Sequence, residues 1–362
     1  MLRADTASRA GERDRYLDFL RGFSLVIVVL WHWVFSVVVW GSDGPHASNP
    51  IGTTRGLWAA TWVLQVMPVF FFVGGYAHLR TWRSVTQNGG GVATFYARRL
   101  ARLAGPAAML LALAAVVWVV LRIALPDTTW TTRGVILILS PMWFLCIYVV
   151  LVLLTPPAVW LHERFGEIVL VVGIGAAVWI DLLRFRFDHP SWAWVNMVVI
   201  WGVVHQAGFS WERLIAAPPR SRWCIVWAGL IGLTALTNMG LYPRSMVGVP
   251  GETFSNMGPP TLCIVALAAF QIGLVLVARE RMSAWLEQPG PARFCDWTSR
   301  WSLPIFLWHV PAYAVVYAIV RLGGYDVPEA ASWAWWAQRP VWLILPALVC
   351  WPLAATAGRF AR

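Results

Sequence analysis

The chain has 362 residues, 59% of them hydrophobic and only 12% charged. That balance excludes an ordinary soluble domain and points to a single integral-membrane domain over residues 1–362, with no soluble appendage able to fold alone. The net charge of +11 is carried by arginine alone, since the sequence contains no lysine; a retinal protein, which needs a lysine Schiff base, is thereby excluded.

So basic a soluble protein would bind nucleic acid. Here the arginines gather at the ends of apolar segments, so the charge reads as membrane orientation and no nucleic-acid partner is expected. The absence of lysine needs no more than a bias in genomic base composition. The five cysteines show no CxxC or metal spacing and read as reduced packing residues, four in apolar segments and Cys295 in a basic loop. No metal site, P-loop, Rossmann glycine pattern or nucleophile elbow is present.

The expected fold is all-α, a polytopic bundle of about ten transmembrane helices lying in the lipid bilayer. The charged start, Met1 to Arg15, lacks a small-residue cleavage site, so segment 1 is expected to stay as an anchor behind a tail of about sixteen residues. The ten apolar stretches run over about 19–40, 57–79, 103–124, 134–154, 166–183, 192–209, 222–241, 259–278, 301–320 and 340–358. With the N-terminus inside, 19 arginines fall on inner flanks and 8 on outer ones. That bias predicts both termini in the cytoplasm.

Segment 1 carries Arg21 and His32, eleven residues apart. At 3.6 residues per turn, eleven steps return close to the starting face, about 16 Å further along the axis. A cation and an imidazole on one stripe of a membrane helix are costly and are kept for function. Arg21 is either a snorkelling arginine paired with Asp18 or an anion site, because guanidinium binds phosphate bidentately. His32 is either a hydrogen-bonded core histidine or a general base suited to taking a hydroxyl proton.

Segment 2 contains Gly74-Gly75, which allows either close helix approach or an unwound turn lining a cavity. The loop after it ends in Arg98-Arg99-Leu-Ala-Arg102, a positive flank or a site for phosphates. Tyr148 in segment 4 is placed to hydrogen-bond inside the bundle. His78 and His205 are expected near inner helix ends, within reach of water. Segment 9 places Pro304 near its inner end and His309 at mid-depth, serving packing or a site. Most of the 26 tryptophans read as interfacial anchors. Trp333, Trp335 and Trp336 form the best candidate for a sugar-stacking platform.

Asp18-x-x-Arg21-Gly followed after ten residues by His32 resembles the signature of the acyltransferase-3 family of integral membrane acyltransferases. Phe70-Phe71-x-x-Gly74-Gly75-Tyr76, Arg98-Arg99-x-x-Arg102 with Pro106, Trp143-Phe144-Leu145 and Ser302 to Leu307-Trp308-His309 follow in the family's order. The likeness spans residues 15–310. It implies ten core helices, a cytosolic acyl-CoA donor, and an acceptor hydroxyl on a glycan, lipid or small molecule. It implies that His32 is catalytic with Arg21 its partner, that His309 joins the catalytic set by positioning the acceptor, and that Arg98, Arg99 and Arg102 contact the donor. It also implies a bacterial cell membrane as the location. Two departures touch the acceptor more than the chemistry. Gly74-Gly75-Tyr76 stands where Ser-Gly-Phe is common, and Pro304-Ile-Phe where tyrosine is often seen. The rival from another class is a transporter using the intramembrane Arg/His set as a proton or anion path; a third reading is a degenerate, non-catalytic membrane partner.

Overall fold

A helix bundle with one short hairpin accounts for the described residues. The computed structural model describes residues 14–126 and 128–359. Most of the predicted N-terminal tail, including Arg3, Arg9 and Arg13, lies outside the described residues. The first helix, α1 (Arg15–Phe35), starts on Asp14, whose carboxylate accepts from the Tyr16 and Leu17 backbone amides at 3.0 and 3.4 Å. It ends five residues before the predicted limit. The β-branched run Val37-Val38-Val39 enters strand β1 (Val37–Gly41), and a two-residue turn at Ser42-Asp43 returns it as β2 (Gly44–Ser48). An apolar run of this kind satisfies helix and strand alike until pairing decides.

The second expected segment is also broken, but not at its glycines. A short helix α2 (Trp58–Leu64) stops at Gln65, and α3 (Met67–Gln87) begins with Pro68 in its first turn. The Gln65 side-chain oxygen accepts from the Met67 amide at 2.8 Å and so caps α3. Through Gly74 and Gly75 the helix is continuous. Gly75 packs against the backbone of His205: a Cβ there would collide with that carbonyl oxygen, whereas Gly74 has nothing within 4 Å. Of the two sequence options, close approach holds.

The long α4 (Val92–Ala124) starts eleven residues before its predicted span, so Arg98 and Arg99 sit on a helix, not in a loop. After α5 (Trp130–Ile138), Pro141 interrupts the predicted fourth segment, and α6 (Met142–Phe165) carries on through Pro156 and Pro157 to a left-handed Gly166. Then come α7 (Ile168–Phe185), a 3₁₀ turn at Pro190–Val195, α8 (Asn196–Gly208), α9 (Trp211–Ala216) and α10 (Pro219–Asn238). Helix α11 (Leu262–Leu286) is followed by α12 (Pro289–Leu322). The latter absorbs Cys295 into a buried helical position and runs unbroken past Pro304. The short α13 (Trp333–Ala337) and α14 (Arg339–Ala357) close the described chain.

Among the described residues, eight spans are long and apolar enough to cross a membrane. The other two expected spans are present as α8, with 13 residues, and α10, with 20. All five cysteines are free thiols.

One buried polar knot ties the bundle together around Asp181 of α7. Its carboxylate accepts from Asn196 Nδ2 at 3.0 Å, the Tyr242 hydroxyl at 2.9 Å and the Leu262 amide at 2.8 Å. Burial, and after it the neighbouring carboxylate, pushes the Tyr242 phenol far above its usual range, so it stays a donor. Replacing Asp181 by alanine strands three donors. We expect a loss of about 3 kcal/mol or more, read as a lower thermal midpoint in detergent; a midpoint equal to wild type would disprove the knot's role.

Candidate active site

Helix α1 presents Arg21, Leu25, Val28 and His32 along one stripe, as their spacing dictates. The stripe serves two cavities. Arg21 and Leu25 line a cavity of about 610 Å³; Val28 and His32 line a second of about 570 Å³. Helix α12 runs beside α1 with a matching stripe. Ser302 faces the first cavity and Phe306 the second, and His309 is fully buried beside His32.

The first, or arginine, cavity gathers Arg21, Arg98, Arg99, Arg300 and Arg359, with Tyr148 and Trp301 on its wall. Arg21 stands 3.8 Å from Asp18 and is partly exposed. The Arg99 guanidinium donates to the Ala77 carbonyl and the Thr81 hydroxyl, which fixes it against α3. Arg102 shares helix α4, and its side chain lies outside the described residues. The start of α1 and the end of α14 both meet at this cavity, so the two ends of the described chain lie on one side.

The second, or histidine, cavity is bounded by the loop after β2, the break at Gln65, the start of α6 and the loop before α11. Asn49 Nδ2 donates to the Gly248 carbonyl at 2.7 Å and joins two of those boundaries. Trp31, Trp143 and Trp194 give it aromatic walls, and Asn49, Gln65 and Ser140 give it polar groups.

His32 and His309 are paired. His32 Nδ1 lies 2.8 Å from the Val28 carbonyl and 3.3 Å from His309 Nε2. His309 Nδ1 in turn bonds the Phe306 carbonyl. Carbonyl oxygens only accept, so each Nδ1 carries the proton. His309 Nε2 is then an acceptor for His32 Nδ1–H. The remaining His32 nitrogen, Nε2, holds a lone pair. Trp33 Nε1 donates to the His309 carbonyl at 3.0 Å and fastens the two helices at this level. Among the described residues no group of three metal-ligating side chains gathers.

The family model described as an acyltransferase domain matches residues 14–355, nearly the whole chain. The chain belongs to the acyltransferase-3 family. It is therefore a membrane acyltransferase of the non-aminoacyl kind, and the transporter reading falls away. No curated protein and no solved structure matches it.

Within this acyltransferase several expectations change place. His78 and His205 are buried, not at wet helix ends. His78 Nδ1 meets His205 Nε2 at 2.8 Å, and His78 Nε2 meets the Tyr148 hydroxyl at 2.9 Å. The tryptophan platform does not form. Trp335 is buried with its ring 3.8 Å from the Arg339 guanidinium carbon, while Trp333 is 87% exposed. Arg300 and Arg359 count in sequence only among the inner-flank arginines, and Trp301 only as the first residue of segment 9. Their nearness to Ser302 and to the chain's end was the available signal. Gln65 and Asn49 offered none, because their meeting depends on long-range packing.

Proposed function

We propose that this acyltransferase moves an acetyl or other short acyl group from acyl-CoA, held in the arginine cavity, to a hydroxyl held in the histidine cavity. The observation that carries the reading is the single α1 stripe linking the two cavities through Arg21 and His32. Phosphates of the donor meet guanidinium groups from α1, α4, α12 and the end of α14. Arg98, Arg99 and Arg102 serve the donor from α4, joined by Arg300 and Arg359.

His32 Nε2 takes the proton from the acceptor hydroxyl as its oxygen bonds to the thioester carbonyl carbon. The C–S bond breaks, and the coenzyme A thiolate leaves with the proton returned by His32. His309 Nε2, accepting from His32 Nδ1–H, holds the ring and stabilises it while it is charged. No metal takes part in this scheme. The acceptor is a hydroxyl-bearing glycan of the cell envelope, a lipid or a small molecule. Flat tryptophan faces beside amide and hydroxyl groups suit a polyhydroxyl ligand. The protein is placed in the plasma membrane, and the arginine bias together with the shared side of the ends of the described residues supports an orientation with the arginine cavity and both termini facing the cytoplasm.

Purified protein given labelled acetyl-CoA and a panel of glycans and polyols tests this. Transfer is expected from wild type. Arg98→Ala should raise the donor KM by about tenfold with kcat nearly unchanged, since it removes one charge-assisted contact. No transfer from any acyl-CoA would refute the proposal, and an unchanged KM would remove Arg98 from the donor site.

A further inference from the structure

The two cavities do not simply merge. Among the described residues Phe144 alone lines both. It follows Trp143 at the start of α6 and is only 3% exposed. Its ring centroid lies 5.0 Å from Phe70, 5.3 Å from Phe71 and 5.0 Å from Phe306. Phe306 lies 5.4 Å from the His309 ring. An aromatic partition one ring thick therefore stands between the arginine end and the histidine pair, braced from α3 and α12.

This partition matters for any thioester whose phosphates sit among the arginines. His32 lines only the far cavity, so the acyl end of the donor has to pass Phe144 to reach it. Once there, the acyl tail shares about 570 Å³ with the acceptor. That is the low to middle part of the range for a single small-ligand site, so each added methylene competes with the acceptor for space.

We propose that Phe144, backed by Phe306, sets the acyl-chain length this enzyme accepts. The inference rests on the acyl-CoA reading above. The ring narrows the passage between donor and base, passes a short acyl group, and turns back longer chains. Neither residue touches the reacting atoms by this account; both act as specificity determinants. Widening the passage favours longer chains, and narrowing it penalises all donors, long ones most.

The experiment compares kcat/KM for acetyl-, butyryl- and octanoyl-CoA in wild type, Phe144→Leu and Phe144→Ala, with thermal midpoints recorded for each. Phe144→Leu keeps most of the apolar volume and guards against a variant that fails to fold. A pocket discriminates by about 10- to 200-fold per methylene-scale change. The octanoyl-to-acetyl ratio is expected to rise at least about tenfold in Phe144→Ala, and by less in Phe144→Leu. A ratio unchanged in a folded Phe144→Leu that still turns over acetyl-CoA overturns the gauge and leaves the acyltransfer reading standing. Absence of transfer from every acyl-CoA donor in wild type overturns the reading on which the gauge rests.

Discussion

Substituting His32 by alanine is expected to lower kcat for acyl transfer by about 10²- to 10⁴-fold, the usual contribution of a positioned general base. The donor KM should stay close to wild type, because the arginines begin about 16 Å away along α1. The geometry explains why His32, and not His309, is the base. His309 spends Nδ1 on the Phe306 carbonyl and Nε2 on His32. His32 spends only Nδ1, on Val28 and His309, and keeps Nε2 unpartnered by either contact. A proton arriving at Nε2 makes the ring cationic and strengthens the bond from its Nδ1–H to His309. Steady-state rates over a range of donor concentrations check this. A His32→Ala enzyme with wild-type kcat would remove the base from the mechanism.

Gly75→Ala is expected to destabilise the protein by about 3 kcal/mol or more, the upper part of the range for overpacking, because the obstacle is main chain and cannot rotate away. Helix α3 and helix α8 cross here with each backbone against the other. A Cβ on Gly75 meets the His205 carbonyl, and one on Gly208 meets the Phe72 carbonyl. Parting the helices would also pull His205 from His78, and His78 from the Tyr148 hydroxyl on the wall of the arginine cavity. Gly74→Ala is the internal control, since its Cβ would point into open space. Thermal midpoints of the two variants in the same detergent decide the matter. Equal midpoints would show that the crossing tolerates a methyl group and that the close approach carries no constraint.

Much of the fold was legible because its signals are local. Ten apolar runs and a one-sided arginine bias depend only on neighbouring residues, and helices stand at all ten runs. The breaks were less legible. Pro141 ended one predicted segment and Pro156-Pro157 did not, since in a bundle the partners of the surrounding helices decide whether a proline is absorbed. The interruption of the second segment falls at Gln65, where a side-chain cap on the Met67 amide replaces the glycine signal that sequence reading relies on.

The site divides in the same way. Arg21 and His32 could be paired from sequence because they share one helix. His309 could be named from the family likeness, but not joined to His32, since 277 residues separate them. Tyr148 was expected to bond inside the bundle, and its partner proved to be His78. The walls of the histidine cavity come from loops whose apposition, such as Asn49 with Gly248, leaves no trace in composition.

The division of labour between the two cavities is tested most directly by the side from which the donor is used. Sealed proteoliposomes are prepared with the C-terminal end facing outward, as verified by protease removal of a C-terminal tag; the acceptor polyol is present on both faces, and labelled acetyl-CoA is supplied either outside or inside. Acetyl-CoA does not cross the bilayer. Release of free coenzyme A is predicted only when the donor is outside, on the side of Arg21 and Arg359, and is predicted to vanish in His32→Ala. Release only when the donor is sealed inside, on the side of the β1–β2 hairpin, would contradict the account.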